Sequence, residues 1–352
     1  MRDFNFSIVI TIVCLALAAC WGYSHGGMPA ALTAVWIAGV LGVMEVSLSF
    51  DNAVVNASVL KNWNKFWQSL FLTVGMLVAV FGMRLLFPLL IVAQAADLGL
   101  LDVWRMAIGQ PAQYALHLSN HHAEVAAFGG VFLLLVFLNF LFDEEKELHW
   151  LGHVEEKIGS LGKVGSIAVL LTLLVVLGCV NMVEATQRMA VMTAGLWGIA
   201  TYVGVDVLSN LLEKEESDVD LGAIVKRGGV GAFLYLEVLD ASFSFDGVIG
   251  AFAITNDVVV IMLGLAIGAM FVRSLTVFLV RKGTLDEYVY LEHGAHYAIG
   301  ILALIMLASM KYHISEVFTG LIGVAFIAAS LWSSIRYRRQ AHAGDLAVSP
   351  IN

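Results

Sequence analysis

Ten apolar stretches, each long enough to cross a lipid bilayer, follow one another along the chain. A transmembrane helix needs about 20 consecutive apolar residues. The stretches are residues 6–23, 30–59, 66–93, 123–142, 164–183, 189–212, 229–255, 258–280, 295–311 and 315–336. Only 13% of the residues are charged, against about 25% in an average soluble domain. The sequence therefore predicts an all-α membrane protein, a polytopic bundle of about ten transmembrane helices.

Lysine and arginine are distributed unevenly between the connections of these stretches. If the N-terminus is cytoplasmic, the outer connections hold only Arg105, Arg188 and Lys311, and the other loop and terminal lysines and arginines lie inside. Cytoplasmic loops carry such an excess of positive residues. This pattern predicts a protein integral to the cell (inner) membrane, with both termini in the cytoplasm.

The same acidic, serine-containing motif interrupts two of the apolar stretches. The first acidic motif, residues 45–52, reads Glu-Val-Ser-Leu-Ser-Phe-Asp-Asn. The second acidic motif, residues 240–247, reads Asp-Ala-Ser-Phe-Ser-Phe-Asp-Gly. Because the two align without a gap at their polar positions, and because polar residues are expensive inside a membrane, they indicate an internal repeat.

The repeat extends beyond the motifs, since Gly75 and Arg84 recur at the same spacing as Gly264 and Arg273. Five stretches in each half is an odd number, so the second half must insert upside down relative to the first. The predicted parts are the first half, residues 1–185, the inverted second half, residues 186–339, and a disordered tail, residues 340–352. Two antiparallel motifs would meet at one site near the middle of the membrane.

Helix geometry limits how the acids of the first motif can act together. Glu45 and Ser49 are four residues apart and share a helix face, whereas Glu45 and Asp51 do not. For both acids to reach one ligand, the helix must break near Ser49, or the two must serve different sides of a cavity. In the second motif Gly247 and Gly250 favour a break.

An ionised side chain at the centre of a membrane helix costs about 2.5–3.5 kcal/mol, so the acids need a compensating cation or protons. Carboxylate, hydroxyl and amide oxygens are hard ligands that suit manganese, magnesium or calcium. The predicted metal ligands are Glu45, Ser49, Asp51, Asn52, Asp240, Ser244 and Asp246. The predicted gating or coupling residues are Arg84, Arg273, Asp206 and Glu237. A protonated, hydrogen-bonded cluster that only fixes helix packing is the structural alternative.

These motifs resemble those of a known membrane protein family. Glu45-x-x-Leu-Ser-x-Asp-Asn, followed by a glycine-containing span with Arg84, is similar to the signature of the TerC family, which is named for tellurium resistance. The second half resembles it through Ser244-Phe-Asp-Gly-Val and Tyr290-Leu-Glu-His-Gly. The resemblance implies efflux of a divalent metal, chiefly manganese, with ligands among Glu45, Asp51, Asn52, Asp240 and Asp246. Gly247 and the long charged connection 143–163 depart from the usual pattern and indicate a divergent branch.

Several histidines accompany the repeat, and they could be entry ligands, pH sensors or ordinary interfacial residues. They are His117, His121 and His122, with Glu124 nearby, and His293 and His296. The acidic connections 143–156 and 213–220 are predicted to be solvated loops. We expect no enzymatic activity and no tightly bound cofactor, because neither a Gly-x-Gly-Asp nor a His-Glu-x-x-His motif occurs.

The favoured function is export of a divalent cation, with the lipid bilayer and the cation as the expected partners. Two alternatives stay open. An acidic cavity would also suit export of a cationic organic solute, and a membrane scaffold for a stress-response complex would need the charged loops rather than the acids.

Overall fold

The computed structural model describes residues 4–75, 77–78, 82, 84, 86–96, 98–143, 146, 148–163, 166–212, 228–282, 288–312, 314 and 316–347. Every element in this part of the chain is a helix. In order they are α1 (Asn5–Leu48), α2 (Phe50–Leu60), α3 (Lys65–Leu70), a π-helical turn (Phe71–Gly75), α4 (Phe87–Ala96), α5 (Leu100–Gly109), α6 (Pro111–Asn120), α7 (His122–Leu141), α8 (His153–Gly159), a 3-10 turn (Ser160–Lys163), α9 (Ile167–Val180), α10 (Arg188–Leu212), α11 (Val230–Ile254), α12 (Val258–Lys282), α13 (Leu291–Ser309) and α14 (Glu316–Ala347).

Five of the described helices are long and apolar enough to cross a membrane. They are Asn5–Leu48, His122–Leu141, Val258–Arg281, Leu291–Ser309 and Phe318–Gln340. Large apolar side chains on the outside of the bundle, such as Leu32, Trp36 and Trp332, are more than 60% exposed. Such residues face lipid rather than water in a membrane protein. The chain is therefore a helical membrane protein.

Helix α1 folds back on itself at Gly26–Gly27. Gly27 has a φ of +67°, a left-handed conformation that residues with a Cβ atom rarely adopt. A Cβ atom placed on Gly22 would lie 2.5 Å from the carbonyl oxygen of Ala30, although eight residues of straight helix span about 12 Å. The chain therefore reverses. The two antiparallel arms are residues 5–25 and 28–48.

Both arms of α1 pack along α12 through small residues. In the first arm, the hydroxyl groups of Ser7 and Ser274 share a 2.6 Å hydrogen bond. In the second arm, a Cβ atom on Gly264 would lie 2.6 Å from the Cβ atom of Leu41. Small residues allow two helix backbones to approach closely inside a membrane. This contact presses Glu45, one turn beyond Leu41, against α12.

Helix α7 is largely buried among the other helices of the bundle. A Cβ atom on Gly300 of α13 would lie 2.6 Å from the ring of Phe137. On another side, the ring of Phe132 stands 6.1 Å from that of Tyr235 on α11. Because α7 contacts both α11 and α13, it holds the helix of the second acidic motif in place.

Two predicted connections and the predicted C-terminal tail are more ordered than the sequence indicates. Between residues 94 and 122, helices α5 and α6 bury Val103 and Leu118 in a cluster with Leu265. The connection 143–156 is not a solvated loop throughout, because Glu155 is completely buried. Helix α14 continues to Ala347, so the predicted tail from residue 340 begins as helix. The predicted loop 213–220 and residues 348–352 lie outside the described residues.

Candidate functional site

The first acidic motif lies across a junction between two helices. Helix α1 ends at Leu48, and α2 begins at Phe50. Between them Ser49 has φ −103° and ψ 18°, outside the helical range. The amide of Ser49 still donates to the Glu45 carbonyl at 2.9 Å, so the junction distorts the path without reversing it. The sequence left two alternatives open, a break near Ser49 or acids on different sides of a cavity, and the junction shows a distortion rather than a complete break.

Glu45 and Asp51 line the same cavity, although residues six apart do not share a face of a regular helix. The cavity measures about 30 Å³, enough for about two water-sized species. Its lining comes from α1, α2, α11, α13 and α14 and consists of Glu45, Leu48, Ser49, Asp51, Phe243, Gly247, Leu302, Thr319 and Gly320. We call Glu45, Ser49 and Asp51 the cavity group.

Glu45 is 1% exposed, and an arginine compensates its carboxylate. Its Oε1 atom forms an ion pair with Arg84 and accepts a 2.9 Å hydrogen bond from the Ser49 hydroxyl. The Oε2 atom lies against Gly247, where a Cβ atom would be only 2.7 Å away. Arg84 follows a π-helical turn, a feature that is frequent at functional sites. Arg84 is thus paired with an acid of the first acidic motif.

Asp51 occupies the opposite side of the junction and is 7% exposed. Its Oδ1 atom accepts a 2.9 Å hydrogen bond from the amide of Asn52. The Oδ2 atom faces α14, where a Cβ atom on Gly323 would lie 2.6 Å away. Glycine at this position leaves room for the carboxylate beside the cavity.

Asp240 joins the second acidic motif to the first. Its Oδ1 atom accepts hydrogen bonds from the side-chain amides of Asn52, at 2.5 Å, and Asn56, at 3.4 Å. All three residues are at most 3% exposed. Sequence analysis missed Asn56, although its position one turn after Asn52 places both amides on one helix face. That spacing was the signal that could have identified it.

Glu237 lies one turn before Asp240 and is 5% exposed. Within the described part of the chain, neither of its carboxylate oxygens has a hydrogen-bond partner. The Oε1 atom faces the π-helical turn, where a Cβ atom on Gly75 would lie 2.5 Å away. The amide oxygens of Asn52 and Asn56 also lack a donor among the described residues. We call Asn52, Asn56, Glu237 and Asp240 the Asp240 group.

Helix α11 runs without interruption from Val230 to Ile254. The expected break near Gly247 and Gly250 is therefore wrong. A glycine permits a break but does not impose one, and the packing of α11 against α7 favours a continuous helix. The two acidic motifs consequently differ in backbone shape.

Other predicted site residues take different positions. Arg273 donates from Nε to the carbonyl of Leu72 at 2.6 Å and lies 5.5 Å from the ring of Phe6. Its described contacts are thus a carbonyl and a ring, unlike those of its repeat partner Arg84. Ser244, Asp246 and Asp206 belong to α11 and α10, but their side chains lie outside the described residues. Among the described side chains, no three histidines, cysteines, aspartates or glutamates converge as metal ligands.

Two of the predicted histidines, His121 and His296, contact other protein groups. His121 Nδ1 lies 2.9 Å from a carboxylate oxygen of Glu124. His296 Nδ1 lies 2.9 Å from the carbonyl of Glu292, and the His296 ring stacks on Phe140 at 3.9 Å. His117 lies in the last turn of α6, and His122 begins α7.

A second buried polar cluster joins the connection 143–163 to α13. Glu155 accepts hydrogen bonds from Lys146 Nζ at 2.8 Å and from the amide of Leu151 at 3.1 Å. His293 Nε2 lies 3.6 Å from Glu155 and 2.8 Å from the carbonyl of Leu148. Burial raises the pKa of Glu155, but the hydrogen bonds and the Lys146 charge outweigh it and lower the pKa overall. Glu155 is therefore an ionised anchor for this connection.

Comparison with known proteins gives one family. The model of the family described as "Protein of unknown function (DUF475)" matches residues 50–341, which include α2 and the second acidic motif. No curated protein and no solved structure gives a significant match.

Proposed function

The chain belongs to the DUF475 family, and we propose that it is a membrane transporter that exports a divalent cation, with manganese favoured. One observation carries the proposal. Glu45 and Asp51, two buried acids six residues apart, line one small cavity between apolar helices. Intramembrane ionisable residues typically mark substrate or ion pathways.

Charge and ligand chemistry support a cation as the substrate. The described site holds four buried carboxylates, Glu45, Asp51, Glu237 and Asp240, together with Arg84. A divalent cation would offset the negative charge that Arg84 does not neutralise. The surrounding donors are carboxylate, hydroxyl and amide oxygens, which suit manganese or magnesium better than copper. The resemblance to the TerC family favours manganese among these metals.

Cavity size favours an ion over an organic solute. A space of about 30 Å³ holds about two water-sized species, whereas drug-sized ligands occupy pockets of about 300–1,000 Å³. The proposed substrate is therefore a single metal ion that keeps at most a little of its hydration water.

The proposed architecture has ten spans in two inverted halves, with both termini in the cytoplasm. The reversal at Gly26–Gly27 supports it by dividing α1 into two arms of about the length needed for a span. The hydrogen bond between Asn52 and Asp240 supports it as well, because the two motifs of an inverted repeat should meet at one site. Exposure of the cavity first to one side and then to the other would move the ion.

The test uses Asp51→Asn, with Asp102→Asn as the matched control, because the Asp102 side chain is 59% exposed on α5. We expect Asp51→Asn to weaken manganese binding by the purified protein at least about tenfold and to raise the manganese content of cells. The control should behave like the original chain. Unchanged binding and unchanged cellular manganese in Asp51→Asn, with normal insertion, would refute the proposal. Displacement of bound manganese by an organic cation would instead favour the solute alternative.

A further inference from the structure

The buried oxygens of the site fall into two separate groups. The cavity group surrounds a space of about 30 Å³. None of the four residues of the Asp240 group belongs to the lining of that cavity. The single ligand set that the repeat predicts is therefore divided between two positions, and each position has its own carboxylates.

The Asp240 group has more buried acceptors than donors. Four of its oxygen atoms lack a donor among the described residues: Asn52 Oδ1, Asn56 Oδ1, and both carboxylate oxygens of Glu237. A buried acceptor left unsatisfied costs about 1–3 kcal/mol, and more for a charged group. All four belong to side chains at least nine-tenths buried. This chemistry is that of a cation site rather than of an apolar helix contact.

Charge indicates which class of cation fits. Asp240 and Glu237 together carry two negative charges when ionised, and Arg84 interacts electrostatically with both Asp240 and Glu45. Arg84 forms an ion pair with Glu45 of the cavity group, so a net negative charge remains at the Asp240 group. Neutral amides supply half of its four ligand residues, and carbonyl-type oxygens coordinate sodium ions in transporters.

We propose that Asn52, Asn56, Glu237 and Asp240 form a second cation site, which binds sodium as the coupling ion of transport. The coupling role rests on the proposed function, but sodium binding does not. Asn52 adjoins Asp51 of the cavity group, so occupation of one position would change the electrostatic field at the other. Entry of sodium would thus favour release of the divalent ion from the cavity.

Gly75 gives the second site a specific wall. The Oε1 atom of Glu237 lies where a Cβ atom of residue 75 would come within 2.5 Å, so the carboxylate rests on the backbone of the π-helical turn. An alanine at this position would displace Glu237 and the ring of Phe71, and neither residue lines the cavity.

The experiment measures thermal unfolding of the purified full-length protein in sodium chloride and in choline chloride at equal ionic strength. A ligand that binds the folded state raises its melting temperature. We expect sodium, and not choline, to stabilise the protein. Glu237→Gln and Asn56→Ala should each raise the half-saturating sodium concentration at least about tenfold. Ser58→Ala is the control, since the Ser58 hydroxyl bonds to a carbonyl of its own helix.

The same samples separate the two proposals. Asp51→Asn should lose manganese binding and keep the sodium effect. No sodium effect in the original chain, or a sodium effect that survives both Glu237→Gln and Asn56→Ala, would overturn the second site. A stabilisation that depends on pH but not on sodium would overturn the sodium site and would indicate a proton-binding site instead. A sodium effect without manganese binding would refute the transport proposal and leave the sodium site standing.

Discussion

Glu155→Gln should destabilise the protein strongly, although the residue lies outside the apolar spans. The carboxylate is 0% exposed, and Lys146, whose side chain is 9% exposed, pairs with it at 2.8 Å. Lys146 also lies 4.1 Å from the ring of Phe140, which holds the ammonium group in place. The amide variant keeps the shape of Glu155 but leaves the lysine charge buried without its counter-ion. Breaking a buried pair in this way costs about 3–5 kcal/mol.

Thermal unfolding of the purified protein measures this cost. For a chain of 352 residues, about 3–5 kcal/mol corresponds to a fall in melting temperature of about 4–7 °C. Glu156→Gln is the matched control, because Glu156 is the next residue of the same helix and its side chain is 64% exposed. The control should leave the melting temperature unchanged. Equal melting temperatures for the two variants would refute the inference that the connection is anchored by a buried charge.

The pH dependence of this effect follows from the lowered pKa of Glu155. A carboxyl group with a lower pKa in the folded state contributes stability above its unfolded pKa and loses that contribution as the pH falls through the folded pKa. The ordinary pKa is 4.5, so the full contribution is present above about pH 5.5. The difference between the original chain and Glu155→Gln should therefore shrink as the pH is lowered below 4.5.

Two further predictions concern the helix reversal and the buried arginine. Gly27→Ala should destabilise the protein by about 1–2 kcal/mol, because Gly27 has a φ of +67°. The control Gly39→Ala, with open space at its Cβ position, should be neutral or stabilising. Equal melting temperatures for the two variants would contradict the predicted strain at Gly27. Arg84→Gln should lower the melting temperature but enlarge its rise on addition of manganese, because Arg84 competes with a metal for Glu45. A manganese-induced rise no larger than that of the original chain would argue against competition.

The acids of the site could be predicted from the sequence for an energetic reason. A carboxylate within an apolar stretch is costly, so Glu45, Asp51 and Asp240 stand out without any structure. Their distribution over two groups could not be predicted, because it depends on the small distortion at Ser49 and on the contact between Asn56 and Asp240. Distortions of a single residue arise from tertiary packing rather than from local sequence preference.

The buried cluster around Glu155 shows a different limit of prediction. Charged residues in a connection usually remain in water, and the composition of 143–156 follows that rule. The exception depends on His293, a residue 138 positions further along the chain that packs against the connection. The helices α5 and α6 illustrate the same point, since their buried faces become meaningful only once α12 is placed beside them. The spacing of Val103 and Ala107 does mark a buried face on α5, but that spacing does not identify the helix that covers it.

Differences between the two acidic motifs follow from what surrounds each of them. Equivalent positions hold Glu45 and Asp240, but Glu45 meets a guanidinium group whereas Asp240 meets two amides. Amides donate hydrogen bonds without carrying a charge, so the two acids differ in their hydrogen-bond donors even though Arg84 acts electrostatically on both. An exact two-fold repeat would give both positions the same affinity for the same ion. Because the surroundings differ, the two positions can prefer different cations. Such a difference in preference is what the exchange of one cation for another requires.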